Sequence, residues 1–146
     1  MSIIVTDAGF GEDAPTGHLR TLPFEALQDS DRTDLPGEFA LSIANDADAD
    51  AIAPFFAWIC LIVIAFPSFA DGRGFSLARR LRQAGYKGRL RAEGHVIADQ
   101  YAHARRVGFD EVAISDDLAA RQPENQWLAR AGWQDHFYQK RLQTGA

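Results

Sequence analysis

Asp71, Gly72, Arg73, Gly74 and Ser76 fall within six residues, immediately ahead of an arginine-rich amphipathic stretch. An acid, a base and two glycines in a short loop before a helix form a pattern suited to an anion. Free N–H groups and the helix dipole favour negative charge there. Glycine lets backbone approach a ligand closely. An arginine can grip an oxyanion with a two-pronged fork. The same residues also serve a purely structural role, with Asp71 capping the turn and Arg73 paired to Asp71 or Glu93. The loop has neither the phosphate-loop spacing nor Gly-x-Gly-x-x-Gly.

Two further constellations have chemical potential. Glu93 and His95 sit at the end of an expected strand, where a carboxylate and an imidazole make an acid–base pair. The alternative is an ion pair from Glu93 to Arg73 or Arg91. His95, Asp99 and His103 are spaced by four, which on one helix puts all three on one face. That spacing falls short of a metal motif, and no metal site is expected. Gln100, beside Asp99, is placed to support the loop by hydrogen bonding. No Ser/His/Asp or Cys/His set suggests a nucleophile.

Elements must hold these residues in place, and the sequence supplies them from residue 38 onward. The apolar run Trp58 to Phe66 reads as a strand buried on both faces. Leu77, Ala78, Leu81 and Ala84 give the following helix an apolar stripe, with Arg79, Arg80, Arg82 and Gln83 facing away, and Gly85 ends it. Before the run, Phe39 to Ala44 predicts a strand, and Asn45 or Asp46 caps a helix that Pro54 shortens or bends. After it come a strand at Lys87 to Ala92 and a helix at Val96 to Val107. A strand at Asp110 to Ile114 follows. Ser115 or Asp116 then caps a helical region interrupted near Pro123. Trp133 to Tyr138 reads as a last strand. Residues 1–37 form an irregular N-terminal segment with a short strand at Ile3 to Thr6, a helical turn near Pro23 and an acidic loop from Asp29 to Gly37.

Gly85-Tyr86, Gly108-Phe109 and Gly132-Trp133 each follow a helix, at regular spacing, so the repeating unit is a βα pair. Alternation of this kind predicts an α/β fold with a parallel sheet, an open three-layer sandwich, or alternatively a partial β/α barrel. In either, ligands bind beyond the C-terminal ends of the strands. That rim carries Asn45, Asp46, Ser68, the Asp71 to Ser76 loop, Glu93, His95, Ser115 and Asp116.

A chain of 146 residues is expected to form one domain. Cys60 stands alone, so it is expected to act as a small core hydrophobe. One thiol cannot bridge internally or ligate an iron–sulfur cluster, and no dinucleotide fingerprint is present, so no cofactor is expected. No stretch reaches the roughly 20 apolar residues of a membrane helix, and no secretory signal opens the chain. The expected location is the cytoplasm, with no membrane partner. The net charge is −5, yet residues 71–91 hold seven bases against one acid. A solvated helix face and a strand edge account for this patch better than nucleic acid does. Trp127, Trp133, Phe137 and Tyr138 crowd the C-terminus, which suggests either a homodimer face or a cover over the end of the sheet.

Phe69 to Arg82, then Tyr86 to Ala92, Gly94, Asp99-Gln100 and Arg106 to Asp110 resemble bacterial domain-of-unknown-function family 934. The Asp71-Gly72-Arg73-Gly74-Phe75-Ser76 segment carries most of that likeness, which spans roughly residues 38–115. Members of the family are labelled probable oxidoreductases involved in sulfite reduction. The resemblance implies a role in sulfate assimilation and cysteine biosynthesis, and carries over no catalytic residue. Because this chain lacks the means to carry electrons, the expected role is accessory: binding a sulfite reductase component or a small oxyanion. A small β/α enzyme using Glu93 and His95, and a basic-patch interaction module, are the competing expectations.

Overall fold

In the computed structural model, residues 2–11, 19–29 and 38–132 are described. Seven strands form one open sheet in the order β2-β1-β7-β6-β5-β4-β3. The strands are β1 (Ser2–Thr6), β2 (Gly9–Gly11), β3 (Thr21–Pro23), β4 (Phe39–Ile43), β5 (Ile59–Phe66), β6 (Arg89–Gly94) and β7 (Glu111–Ser115). Strands β3 to β7 run parallel, each beside its predecessor. β1 joins β7 antiparallel, and β2 turns back on β1. The helices are α1 (Phe24–Asp29), α2 (Ala49–Ile52), α3 (Arg73–Gln83), α4 (Tyr101–Val107), α5 (Asp116–Arg121) and α6 (Glu124–Leu128). The fold is therefore an open α/β sandwich. Its two edges, β2 and β3, stay apart, so the sheet does not close into a barrel.

Alternation along each strand divides the sheet into two faces. Leu41, Ile62 and Leu90 form one aligned row, and Ile43, Ile64, Ala92, Val112 and Val5 form the next. These rows meet Leu27, Ile52, Leu77, Leu81, Tyr101, Val107, Leu118 and Trp127, one or more from every helix, in a single core. The opposite face carries Ala40, Leu61 and Val63, packed with Leu19, and the row Val63–Arg91–Glu111. Arg91 and Glu111 are buried, and Glu111 accepts charge-assisted hydrogen bonds from both Arg91 and Arg89. A buried carboxylate needs such partners, because its desolvation is costly.

Several boundaries differ from the sequence expectation. Asp48, rather than Asn45 or Asp46, caps α2, its carboxylate accepting the Asp50 N–H at 3.0 Å. Pro54 confines α2 to one turn, and a 3-10 helix (Ala53–Trp58) follows, taking Trp58 out of β5. Strand β6 begins at Arg89 and runs on to Gly94. The expected helix from Val96 starts as a 3-10 turn (Ala98–Gln100), because Ile97 is extended. α3 begins at Arg73, earlier than its apolar stripe, and Ala84 is its exposed C-cap. Ser115 caps α5, as expected, and Pro123 separates α5 from α6. Gly85 and Gly108 both lie at positive φ just past α3 and α4, and Tyr86 and Phe109 turn inward behind them. Cys60 is half-buried. Trp127 is buried, its indole N–H donating to the Gln122 carbonyl, so it forms part of the core and offers no dimer face. Trp133, Phe137, Tyr138, the strand expected there, and most of the acidic loop lie outside the described residues. No helix among the described residues is long and apolar enough to cross a membrane.

Candidate functional site

The loop between β5 and α3 lies at the C-terminal rim of the parallel strands. Phe66 ends β5, and the chain turns through Ser68, whose hydroxyl accepts the Ala70 N–H and whose carbonyl accepts the Asp71 N–H. Asp71 is the hub. Its Oδ1 accepts the Arg73 backbone N–H at 3.2 Å and Arg73 Nε–H at 3.0 Å. Its Oδ2 accepts Arg73 Nη2–H at 2.8 Å and Asn45 Nδ2–H at 2.9 Å. Asn45 is itself buried at the end of β4, so this carboxylate ties two adjacent strand ends together. The Arg73 side chain and backbone, then Asn45, hold the Asp71 carboxyl well below the usual carboxylate range.

The Arg73 side chain is 65% exposed, yet two of its donors already fork onto Asp71. An incoming oxyanion would have to displace that carboxylate or use the remaining edge of the guanidinium. Only Gly74 of the two glycines is required by packing. Gly72 has φ −86° and precedes α3 without a side-chain cap. A Cβ on Gly74 would lie 2.4 Å from the Phe66 ring, so glycine is what lets α3 start directly over that ring. Ser76 faces elsewhere, lining a groove between α3 and α4 with Phe75, Arg79, Arg80, His103 and Val107.

Glu93 and His95 are not brought to one cavity. Glu93 lines a groove of about 430 Å³ with Ser42, Asn45, Val63 and Pro67. His95 lines a cleft of about 510 Å³ with Phe69, Ser115, Arg121 and Gln122. Gly94 separates them: its φ of +115° breaks strand alternation, and a Cβ there would sit 2.6 Å from the Phe66 carbonyl oxygen. The expected pairing of Glu93 with Arg73 or Arg91 is not formed, since Arg91 pairs with Glu111.

His95, Asp99 and His103 do not share a helix face either. His95 precedes the 3-10 turn, Asp99 pairs with Arg130, and His103 stacks edge-on against Phe75 with centroids 4.6 Å apart. Among the described residues no group of three or more His, Cys, Asp or Glu is arranged to hold a metal.

Gln100 supports the loop by a hydrogen bond, as its position suggests: its Nε2–H donates to the Phe69 carbonyl at 2.7 Å, binding the 3-10 turn to the β5–α3 loop. Phe69 itself is 57% exposed, the most exposed large apolar side chain among the described residues. An aromatic between Ser68 and Ala70 has no periodic signal to distinguish it from a core residue.

Comparison with curated proteins and with solved structures gives no match. The sequence model of one family does match, over residues 40–145, and so takes in β4 to β7 with the Asn45–Asp71–Arg73 cluster. The chain thus belongs to the family described as bacterial protein of unknown function (DUF934).

Proposed function

We propose that this protein is an accessory component of assimilatory sulfite reduction, acting in the bacterial cytoplasm by docking a sulfite reductase component at its carboxyl rim. The observation that carries the reading is the exposure of Phe69 and Arg73 on a loop whose every turn is tied down. Ser68, Asp71, Asn45 and Gln100 all hold that loop. A rigid loop presenting an aromatic beside a charged fork loses little entropy on association, and such residues are favoured at interface centres. Arg73's existing grip on Asp71 favours a protein surface over a free small oxyanion. The separation of Glu93 from His95 favours docking over acid–base catalysis. A single cysteine argues against electron transfer through a cluster of the chain's own.

The test is affinity capture with the full chain from cells grown on sulfate as sole sulfur source. A reductase subunit should be recovered by the natural chain and lost with Phe69→Ala and Arg73→Glu. Recovery of no reductase subunit, together with unimpaired growth of a deletion strain without cysteine, removes the reading. Sulfite binding by the purified chain, abolished by Arg73→Gln, would replace docking with oxyanion handling.

A further inference from the structure

A second surface stands apart from the rim. α3 and α4 flank a groove of about 380 Å³, lined by the apolar Phe75 and Val107 and by Ser76, Arg79, Arg80 and His103. Arg106 adds its charge from α4, close enough to bear on His103. Among the described residues, six arginines have carboxylate partners: Arg73 with Asp71, Arg82 with Asp110, Arg89 and Arg91 with Glu111, Arg105 with Asp7, and Arg130 with Asp99. Arg79, Arg80 and Arg106, like Arg20 and Arg121 elsewhere, have none among the described residues, and no described carboxylate lines the groove.

We infer that the α3–α4 groove docks an acidic segment of a partner protein, seating one apolar side chain against Phe75 and Val107 with flanking carboxylates on Arg79, Arg80 and Arg106. Charge complementarity carries this assignment. Like charges gathered on two adjacent helices repel one another, and that local repulsion is relieved by an anionic occupant. His103 registers the repulsion: burial first, then Arg79 and Arg106, lower its pKa. A nucleic acid is a poorer fit. It needs an extended basic track with exposed aromatics for stacking, whereas Phe75, the one aromatic lining the groove besides His103, is largely buried and offers no open ring face.

The test uses the full chain and a fluorescein-labelled peptide with one phenylalanine among four glutamates, read by anisotropy and by nuclear magnetic resonance. Binding should shift the Val107 and His103 amides and move the His103 titration upward, towards an ordinary imidazole. The charged groups around His103 are Arg79 and Arg80 from α3 and Arg106 from α4, so the bound carboxylates supply the missing counter-charge. The double variant Arg79→Glu/Arg80→Glu should bind at least tenfold more weakly while melting like the natural chain, since neither arginine has a partner among the described residues. Phe69→Ala should leave this binding unchanged, which separates it from docking at the rim. Absence of saturable binding at millimolar peptide, equal binding by the double variant, or tighter binding of a single-stranded oligonucleotide would each overturn the proposal.

Discussion

Removing the Arg82 guanidinium should cost far more than its place on the polar side of α3 suggests. Its Nε and Nη2 donate to the Gly108 carbonyl at 3.0 and 2.7 Å, and its Nη1 donates to the Tyr86 and Gly88 carbonyls at 3.0 and 2.7 Å. Nη2 also reaches Asp110 Oδ2 at 3.0 Å. One side chain thus staples the turn after α3 to the turn after α4. Hydrogen bonds from a charged donor contribute about 1.5–3 kcal/mol each, but here they share one group and are not additive. The side chain is 25% exposed, so water can replace part of what is lost. We expect Arg82→Ala to destabilise the chain by about 3 kcal/mol, and Arg82→Lys by about 2 kcal/mol because an ammonium cannot span all four acceptors. Urea denaturation followed by far-ultraviolet circular dichroism gives these values. Arg79→Ala, three residues earlier and without a partner among the described residues, is the control and should cost less than about 0.5 kcal/mol. If Arg82→Ala falls within that same range, the staple contributes nothing and the reasoning fails.

Three other outcomes follow from the structure. Gly74→Val should destabilise by about 1–3 kcal/mol through overpacking on Phe66, seen as a lower urea midpoint, whereas the same change at Gly72 should cost less. Asp71, held below the usual carboxylate range, contributes stability that is complete above about pH 4 and is lost only as pH falls through its lower folded pKa; Asp71→Asn should flatten the acid limb of the stability curve. His103 has a depressed pKa, so the unfolded chain binds its proton more readily. Stability should fall as pH drops below about 6.5, and His103→Gln should remove that slope in urea titrations at several pH values.

Much of the architecture is legible in the residue order because helix stops and apolar stripes are local signals. Leu77, Ala78 and Leu81 announce α3, and Gly85 and Gly108 mark helix ends that the backbone confirms with positive φ. The antiparallel edge is not legible: Ile3-Ile4-Val5 reads as a strand, but nothing in it shows that its neighbour is β7. β3, three residues long and ending on Pro23, carries too short a pattern to register. At the rim, the Asp71–Arg73 pairing can be read from a two-residue spacing. The divergence of Glu93 from His95 cannot, because it depends on the torsion Gly94 adopts beneath Phe66. Arg82 and Arg79 look alike in sequence, and only the position of the turns after α3 and α4 makes one a staple and leaves the other uncompensated.

The pairing of β1 with β7 has a consequence for biosynthesis. Val5 lies opposite Val112, so β1, already paired with β2 on one side, has no partner on its other side until about a hundred further residues have emerged. At bacterial elongation rates of about 5–20 residues per second, that is a delay on the order of 5–20 s. During it, β3 to β6 can already assemble in order, each on the strand before, while the N-terminal hairpin waits as an unsatisfied edge. Docking of the N-terminal hairpin on β7 is therefore a late, long-range event.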